Sequence, residues 1–199
     1  MTKRKLAWIG VVVLLGAALW GLWTVGRLPD CIDHAGMDIR PVVEAAAKKN
    51  GLSPALVMAD IWKESRMKSN CVGKAGELGL MQLMPIAAEE WRRVHPGQKV
   101  NSRILREPVA NVEIGCWYLA WCGAHWKKRS CPEILQLAEY NAGYGHVKKW
   151  IPKDPTKPVT LDMLPESVQR YVTQVLEQKV HFEKLMAETA QSDEWLLKN

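Results

Sequence analysis

Apolar side chains recur three or four positions apart along most of the chain, which is the spacing of one face of an α-helix. The predicted helices are 39–49, 54 to about 64, 85–94, 111–126, 134–139 and 166–187. Two segments break the pattern. Glycines crowd residues 68–79, which predicts a loop with a short strand or hairpin, and four prolines make 152–165 a loop. The pattern therefore predicts a mainly α fold with a small β-containing loop.

The second predicted helix ends at a carboxyl group. Ser53 is placed to cap the helix and Pro54 suits its first position. An apolar stripe follows, formed by Val57, Met58, Ile61 and Trp62. Glu64 stands near the helix end, just before the glycine-rich loop, where a carboxyl group can lie at the edge of a cleft. A Glu side chain acts as an acid near neutral pH only if an apolar environment raises its pKa above its ordinary value of ~4.3.

The first residues of the chain predict a membrane anchor. Three basic residues at 3–5 precede an uncharged, largely apolar segment at 6–25, which is long enough to cross a bilayer. We therefore expect residues 1–28 to be a cytoplasmic stub with a transmembrane helix, and 29–38 to be a linker. A cleaved signal peptide is the alternative. Both interpretations place the rest of the chain outside the cytoplasm.

Composition and charge limit the remaining possibilities. The chain has 199 residues, of which 48% are hydrophobic and 24% charged, so it has room for one domain with a core. Its ten Trp and single Phe suit contact with sugar rings, although Trp is also a common core residue. The net charge is +6, but no nucleic-acid-binding motif is present, so we expect no nucleic-acid partner.

The five cysteines are consistent with an oxidising compartment. Cys122 and Cys131 flank a predicted helix end and a loop, and they are the first candidates for a disulfide, although the sequence leaves the connectivity open. No Cys-x-x-Cys spacing indicates zinc, so no metal is expected.

Four short motifs follow one another in a specific order. They are Glu64-Ser65-Arg66, Gly-Leu-Met-Gln-Leu-Met-Pro at 79–85, Tyr-Asn-Ala-Gly at 140–143, and Tyr171-Val172. This order resembles the soluble lytic transglycosylase (SLT) family, a lysozyme-like group that cleaves peptidoglycan, and the resemblance runs from about Ile39 to Phe182. It implies a lysozyme-like α+β domain at 39–190, followed by a tail at 191–199.

The resemblance also implies a role for each matching residue. Glu64 would be the catalytic acid and base. Met81 and Met84 would pack beneath the cleft, Met84 also contacting substrate, and the spacing of Met81 and Met84 fits core residues as well. The remaining residues implied to bind or position the substrate are Ser65, Gln82, Tyr140, Asn141, Glu166 and Tyr171.

The mechanism that the resemblance implies uses one carboxyl group. The substrate's own N-acetyl oxygen would attack the anomeric carbon, giving a 1,6-anhydro product without metal or cofactor. Asp60, Glu77 and Glu139 depart from the family pattern or lie near its motifs, and we expect them to be solvated. If one of them faced the cleft, a two-carboxylate hydrolase would become possible.

Two other functions remain open at this point. One is a muramidase of the same fold, and the other is a non-catalytic peptidoglycan-binding scaffold. The expected partners are peptidoglycan glycan strands and a protein of an envelope machinery. A single-pass helix is expected to hold the chain in the bacterial inner membrane, with the catalytic domain on the periplasmic side.

Overall fold

The computed structural model describes the backbone of residues 31–198 and the side chains of residues 31–191. Its helices are α1 (Arg40–Asn50), α2 (Pro54–Ser65), α3 (Pro85–Val94), α4 (Pro108–Ala124), α5 (Pro132–Ala142), α6 (Tyr144–Trp150) and α7 (Glu166–Lys198). Single turns of 3-10 helix occur at Ile104–Arg106 and Leu161–Met163. The mainly helical prediction is confirmed.

The differences from the predicted elements concern ends and short pieces. α5 continues through the Tyr-Asn-Ala motif, and the seven-residue α6 was not predicted. α7 continues to Lys198, so residues 191–198, which were expected to be a tail, are helical. Within the described residues, the glycine-rich loop contains isolated β-bridges rather than a strand, two of them being Val72 with Leu78 and Leu78 with Leu83.

Helix α2 lies at the centre of the fold. Ser53 caps it by accepting a hydrogen bond from the Leu56 amide, and Pro54 occupies its first turn. α7 packs along one side and α1 along another. Because neighbours enclose the helix, its burial extends beyond the apolar stripe to polar positions such as Asp60.

The loop between α2 and α3 is fixed by one amide side chain from α4. Asn111 is fully buried; its amide donates to the carbonyl oxygens of Leu78 (2.9 Å) and Leu105 (2.6 Å), and its oxygen accepts from the Met81 amide (2.8 Å). Gly79 has a φ of +80° and lies directly against Asn111, where a side chain would collide. This packing sets the position of the residues that follow, including Gln82.

The predicted Cys122–Cys131 disulfide is wrong, because both residues are free thiols in the structure. The Cys122 thiol is buried near Tyr118 and Glu139, whereas the Cys131 thiol donates to the carbonyl oxygen of Val159. The two sulfur atoms therefore have different surroundings.

The predicted anchor at 1–28 lies outside the described residues. Between residues 31 and 198, no helix has both the length and the apolar character that a bilayer crossing requires.

Candidate active site

Glu64 lies in the last turn of α2, with its side chain partly buried. Arg66 adopts a left-handed conformation that ends the helix directly after it. The hydroxyl oxygen of Tyr171, from α7, lies 2.8 Å from Oε1 of Glu64. The carboxyl group is therefore held between two packed helices and does not project into bulk solvent.

The surroundings of Glu64 adapt it to proton transfer. Burial raises the pKa of Glu64 to about 7, although the hydrogen bond from Tyr171 and the charge of Lys63 act to lower it. The nearby carboxylate of Glu77 adds a smaller upward contribution to the pKa of Glu64. A carboxyl group with a pKa near 7 can both give and take a proton at neutral pH.

This pKa predicts a pH dependence. Protonated Glu64 is the form that can donate, and its fraction falls as the pH rises through about 7. Since the motif resemblance implies that Glu64 is the catalytic acid, we expect kcat/KM to decline above pH ~7, approaching tenfold per pH unit. Initial rates measured from pH 5 to pH 9 at constant ionic strength test this. A constant rate up to pH 9 would contradict it.

Behind Glu64 lies a second carboxyl group. The same Tyr171 hydroxyl oxygen is 2.7 Å from Oδ1 of Asp60, one helical turn before Glu64 on α2. Asp60 is 0% exposed, so the expectation that it is solvated is wrong. Burial and, next, the charge of Glu64 raise its pKa well above the ordinary value, against a smaller opposing effect of the Tyr171 hydrogen bond.

A groove runs beside Glu64 between the loop after α2, α3, α4 and the end of α5. Its lining residues are Gln82, Leu83, Met84, Ile86, Ala87, Tyr118, Tyr140, Asn141, Ala142 and Gly143. Glu64 is not itself part of this lining. Tyr140 connects the groove to Glu64. Its hydroxyl donates to the carbonyl oxygen of Met81 (2.8 Å). Burial is the main cause of its raised pKa, and the negative charges of Asp60 and Glu64 are close enough to raise it further.

Several predicted residues are brought together here. Gln82 adopts an uncommon left-handed backbone conformation, with φ +45°, and its amide donates to the Gly79 carbonyl oxygen (2.8 Å). Tyr140 and Asn141 line the groove, and Met84 lines it with 39% of its surface exposed rather than packing beneath it. Met81 is fully buried in the core, as predicted.

Three predicted positions do not fit. Ser65 is buried, and its hydroxyl donates to the Ile61 carbonyl oxygen within α2, so it does not reach substrate. Glu166 is 83% exposed and pairs with Arg170 on the surface of α7, so it does not form a wall of the groove. Glu139, expected to be solvated, is 0% exposed and bonded to His125 Nδ1 (2.8 Å).

Two residues near Glu64 and the groove were not predicted to be site residues. Tyr118 lines the groove, with its ring centroid 5.6 Å from that of Tyr140. Asp60 contacts the hydroxyl that also contacts Glu64. A signal for Asp60 was present, since residues four apart lie on the same face of a helix, and an acid one turn before Glu64 shares its buried face.

The sequence is similar to a known protein family and to several curated relatives. A family model described as the transglycosylase SLT domain matches residues 41–162. The membrane-bound lytic murein transglycosylase F of Desulfosudis oleivorans is 33% identical over 112 residues, which cover 55% of this chain and 23% of that protein. The membrane-bound lytic murein transglycosylase C of Haemophilus influenzae is 24% identical over 143 residues, covering 68% and 40%.

Solved structures share the fold. An inactive mutant of the lytic transglycosylase Slt from Pseudomonas aeruginosa superposes with a TM-score of 0.67 at 26% identity, covering 75% of this chain and 24% of that one. The 70 kDa soluble lytic transglycosylase of Escherichia coli gives 0.66 at 23% identity, over 73% and 24%. The chain thus spans well under half the length of each of these relatives.

Proposed function

Because the chain belongs to the transglycosylase SLT domain family, we propose that it is a peptidoglycan lytic transglycosylase with Glu64 as its single general acid and base. Its substrate would be the MurNAc-GlcNAc β-1,4 bond of the glycan strand. The observation that carries the proposal is the environment of Glu64. This carboxyl group is partly buried, has a pKa of about 7 and lies beside a groove lined by Gln82, Tyr140 and Asn141.

The proposed reaction has two proton transfers. Glu64 first donates its proton to the glycosidic oxygen as the bond from that oxygen to the anomeric carbon breaks. The carbonyl oxygen of the substrate's N-acetyl group bonds to the anomeric carbon on the opposite face. Glu64, now ionised, takes the proton of the C6 hydroxyl, whose oxygen displaces the N-acetyl oxygen. The product is a 1,6-anhydro-MurNAc end, and no water is consumed.

The arrangement of Tyr171 supports this use of one carboxyl group. Its hydroxyl bonds Oε1 of Glu64 and leaves the other oxygen, Oε2, to exchange the proton with substrate.

The mass of the products tests the proposal. Purified full-length protein in mild detergent is incubated with isolated peptidoglycan, and the soluble fragments are analysed by mass spectrometry. We expect fragments lighter by one water molecule than those that a muramidase releases from the same material. Fragments with the mass of hydrolysed ends would contradict the transglycosylase mechanism, although not the role of Glu64 as acid.

One observation favours hydrolysis as a second candidate. The end of the Glu77 side chain lies against Gly73, as does that of Gln82, and the charge of Glu77 contributes to the raised pKa of Glu64. A carboxylate in this loop could activate water on the other face of the sugar, as inverting glycosidases do. In that case E77Q would abolish hydrolytic products, whereas the single-carboxylate mechanism leaves E77Q with anhydro products.

The proposed cellular setting follows from the sequence. Residues 1–28 would anchor the enzyme in the inner membrane, 29–38 would link it, and 39–190 would act on glycan strands on the periplasmic side, followed by residues 191–199. The relatives from D. oleivorans and H. influenzae are membrane-bound lytic murein transglycosylases, which supports an envelope location for this chain. A partner from an envelope machinery remains part of this proposal.

A further inference from the structure

The hydroxyl of Tyr171 lies within hydrogen-bonding distance of two carboxyl groups, although it has only one hydrogen. Its oxygen is 2.7 Å from Oδ1 of Asp60 and 2.8 Å from Oε1 of Glu64. If both acids were ionised, each would offer only acceptors, and one of these two short contacts would have no hydrogen in it. One of the carboxyl groups must therefore hold a proton and donate it to the Tyr171 oxygen.

Burial decides which of the two acids holds that proton. Asp60 is 0% exposed, and within the described part of the chain its second oxygen, Oδ2, has no hydrogen-bond donor. Glu64 is partly exposed and lies next to Lys63, whose charge favours its ionised form. An unpaired charge is far more costly in the interior than at the edge of a cleft, so the charge resides on Glu64 and the proton on Asp60.

Among the described side chains, the groups that interact with Asp60 provide no counter-charge. The titratable side chains that act on it or respond to its charge are Glu64 and Tyr171, with Cys116 and Cys122 from α4 and Tyr140 from α5. The thiols and phenols among them have raised pKa values and are neutral at neutral pH. The pKa of Asp60 is itself raised well above its ordinary value, chiefly by burial.

We propose that Asp60 is a positioning residue that stays protonated and donates to the Tyr171 oxygen, so that the Tyr171 hydrogen points to Oε1 of Glu64. The inference rests on the proposed function of Glu64. It assigns the reactive proton of Glu64 to Oε2 in the acid form, and it makes Oε2 the oxygen that takes the C6 hydroxyl proton afterwards. Asp60 is then not a second catalytic carboxylate, although it lies one turn from the first.

Two substitutions of Asp60 distinguish a neutral donor from a charged group. In D60N the amide can donate to the Tyr171 oxygen, so we expect kcat within about threefold of the wild type and an unmoved pH profile, because no charge is lost. In D60L the donor is missing and the bond from Tyr171 to Glu64 weakens, so kcat falls roughly tenfold, the worth of one hydrogen bond. The alkaline limb of D60L moves to higher pH, because the Tyr171 bond is what lowers the pKa of Glu64.

Either of two kinetic results would overturn the proposal. If D60N lost as much activity as E64Q, or if its alkaline limb moved down by about one pH unit or more, Asp60 would be an ionised group acting on Glu64. If D60L matched the wild type in both kcat and pH profile, Asp60 would have no positioning role. Thermal unfolding of both variants identifies any loss of folding, and D60N, which has the same shape as the wild type, remains informative if D60L does not fold.

A spectroscopic measurement separates this proposal from the proposed function. The infrared difference spectrum between substrate-free wild type and D60N at pH 8.5, where Glu64 is almost fully ionised, should contain the carbonyl stretch of a protonated carboxyl group. The same band should remain in E64Q. Its absence from the wild type would overturn the assignment of the proton to Asp60. If instead E64Q cleaved peptidoglycan normally while the Asp60 band remained, the proposed function would fail and the proton assignment would stand.

Discussion

Replacing Glu64 with Gln should abolish peptidoglycan cleavage while leaving the fold intact. Gln has the shape of Glu and can still accept the hydrogen bond from Tyr171, but its amide can neither give nor take the proton. Glu64 serves both proton transfers of the proposed reaction. Since general acid and base catalysis is worth 10²–10⁴-fold, we expect kcat to fall by at least about a thousandfold.

The measurement is the release of soluble fragments from isolated peptidoglycan by the wild type, by E64Q and by E177Q. Glu177 is an exposed glutamate on α7, so E177Q makes the same chemical change away from the groove and should retain full activity. Sedimentation with insoluble peptidoglycan measures binding separately. If E64Q cleaved as fast as E177Q, Glu64 would not be the acid. If neither E64Q nor the wild type cleaved, while both bound, the non-catalytic scaffold would be favoured.

Stability provides an independent readout on the same variant. The pKa of Glu64 is about 7 in the folded chain and ordinary in the unfolded one, so the folded state binds this proton more tightly. The contribution of Glu64 to stability is therefore fully present below the ordinary pKa and is lost as the pH rises to about 7. Gln does not titrate, so at pH 8 we expect E64Q to unfold at the same temperature as the wild type or higher.

The helices could be predicted from the sequence because the apolar side chains that recur at helical spacing are the ones that pack the helices together. Val57, Met58 and Ile61 of the stripe on α2 are buried and Trp62 is partly buried, and Ser53 and Pro54 begin that helix as expected. The ends were less predictable. α5 continues through Tyr140, whose ring packs against the core and whose hydroxyl donates to the Met81 carbonyl oxygen, and the exposed Asn141 follows it in the same helix.

The sequence motifs could indicate which residues belong to the candidate site, but not which side of a helix each residue faces or what it contacts. Gln82, Tyr140 and Asn141, which the motif order grouped with Glu64, line one groove, and Tyr140 is close enough to Glu64 for the Glu64 charge to raise its pKa. The motif order also grouped Glu166 with them, although the Glu166 side chain is exposed to solvent on the surface of α7. Neighbouring positions in a motif can face opposite sides of a helix, and a motif match does not record which side is buried.

The buried acids could not be inferred from residue type. Asp and Glu are rarely fully buried unless paired, so a solvated position was the natural expectation for Asp60 and Glu139. Each is buried because it lies on a helix packed against others. Asp60 is hydrogen-bonded to Tyr171 and Glu139 to His125. Those partners are 111 and 14 residues away, so only the fold shows the pairing.

Replacing Asn111 with Leu should destabilise the fold strongly. Leu has the branched shape of Asn but no donor or acceptor, so the carbonyl oxygens of Leu78 and Leu105 and the amide of Met81 would lose their partner. Each buried, unsatisfied backbone group costs ~1–3 kcal/mol, so the three groups together give a loss of roughly 3–9 kcal/mol in the free energy of unfolding. Domains of this size have only ~5–15 kcal/mol in total.

Urea unfolding followed by circular dichroism measures this loss, with N70L as the control for the same change at an exposed position. Activity should fall further than global stability alone requires. Met81 is bonded on both sides: its amide donates to Asn111, and its carbonyl oxygen accepts from Tyr140. Gln82, which lines the groove, follows it directly in the chain. Loosening this segment therefore displaces the groove as well as the core. An unfolding midpoint of N111L equal to that of N70L would show that Asn111 does not hold the loop.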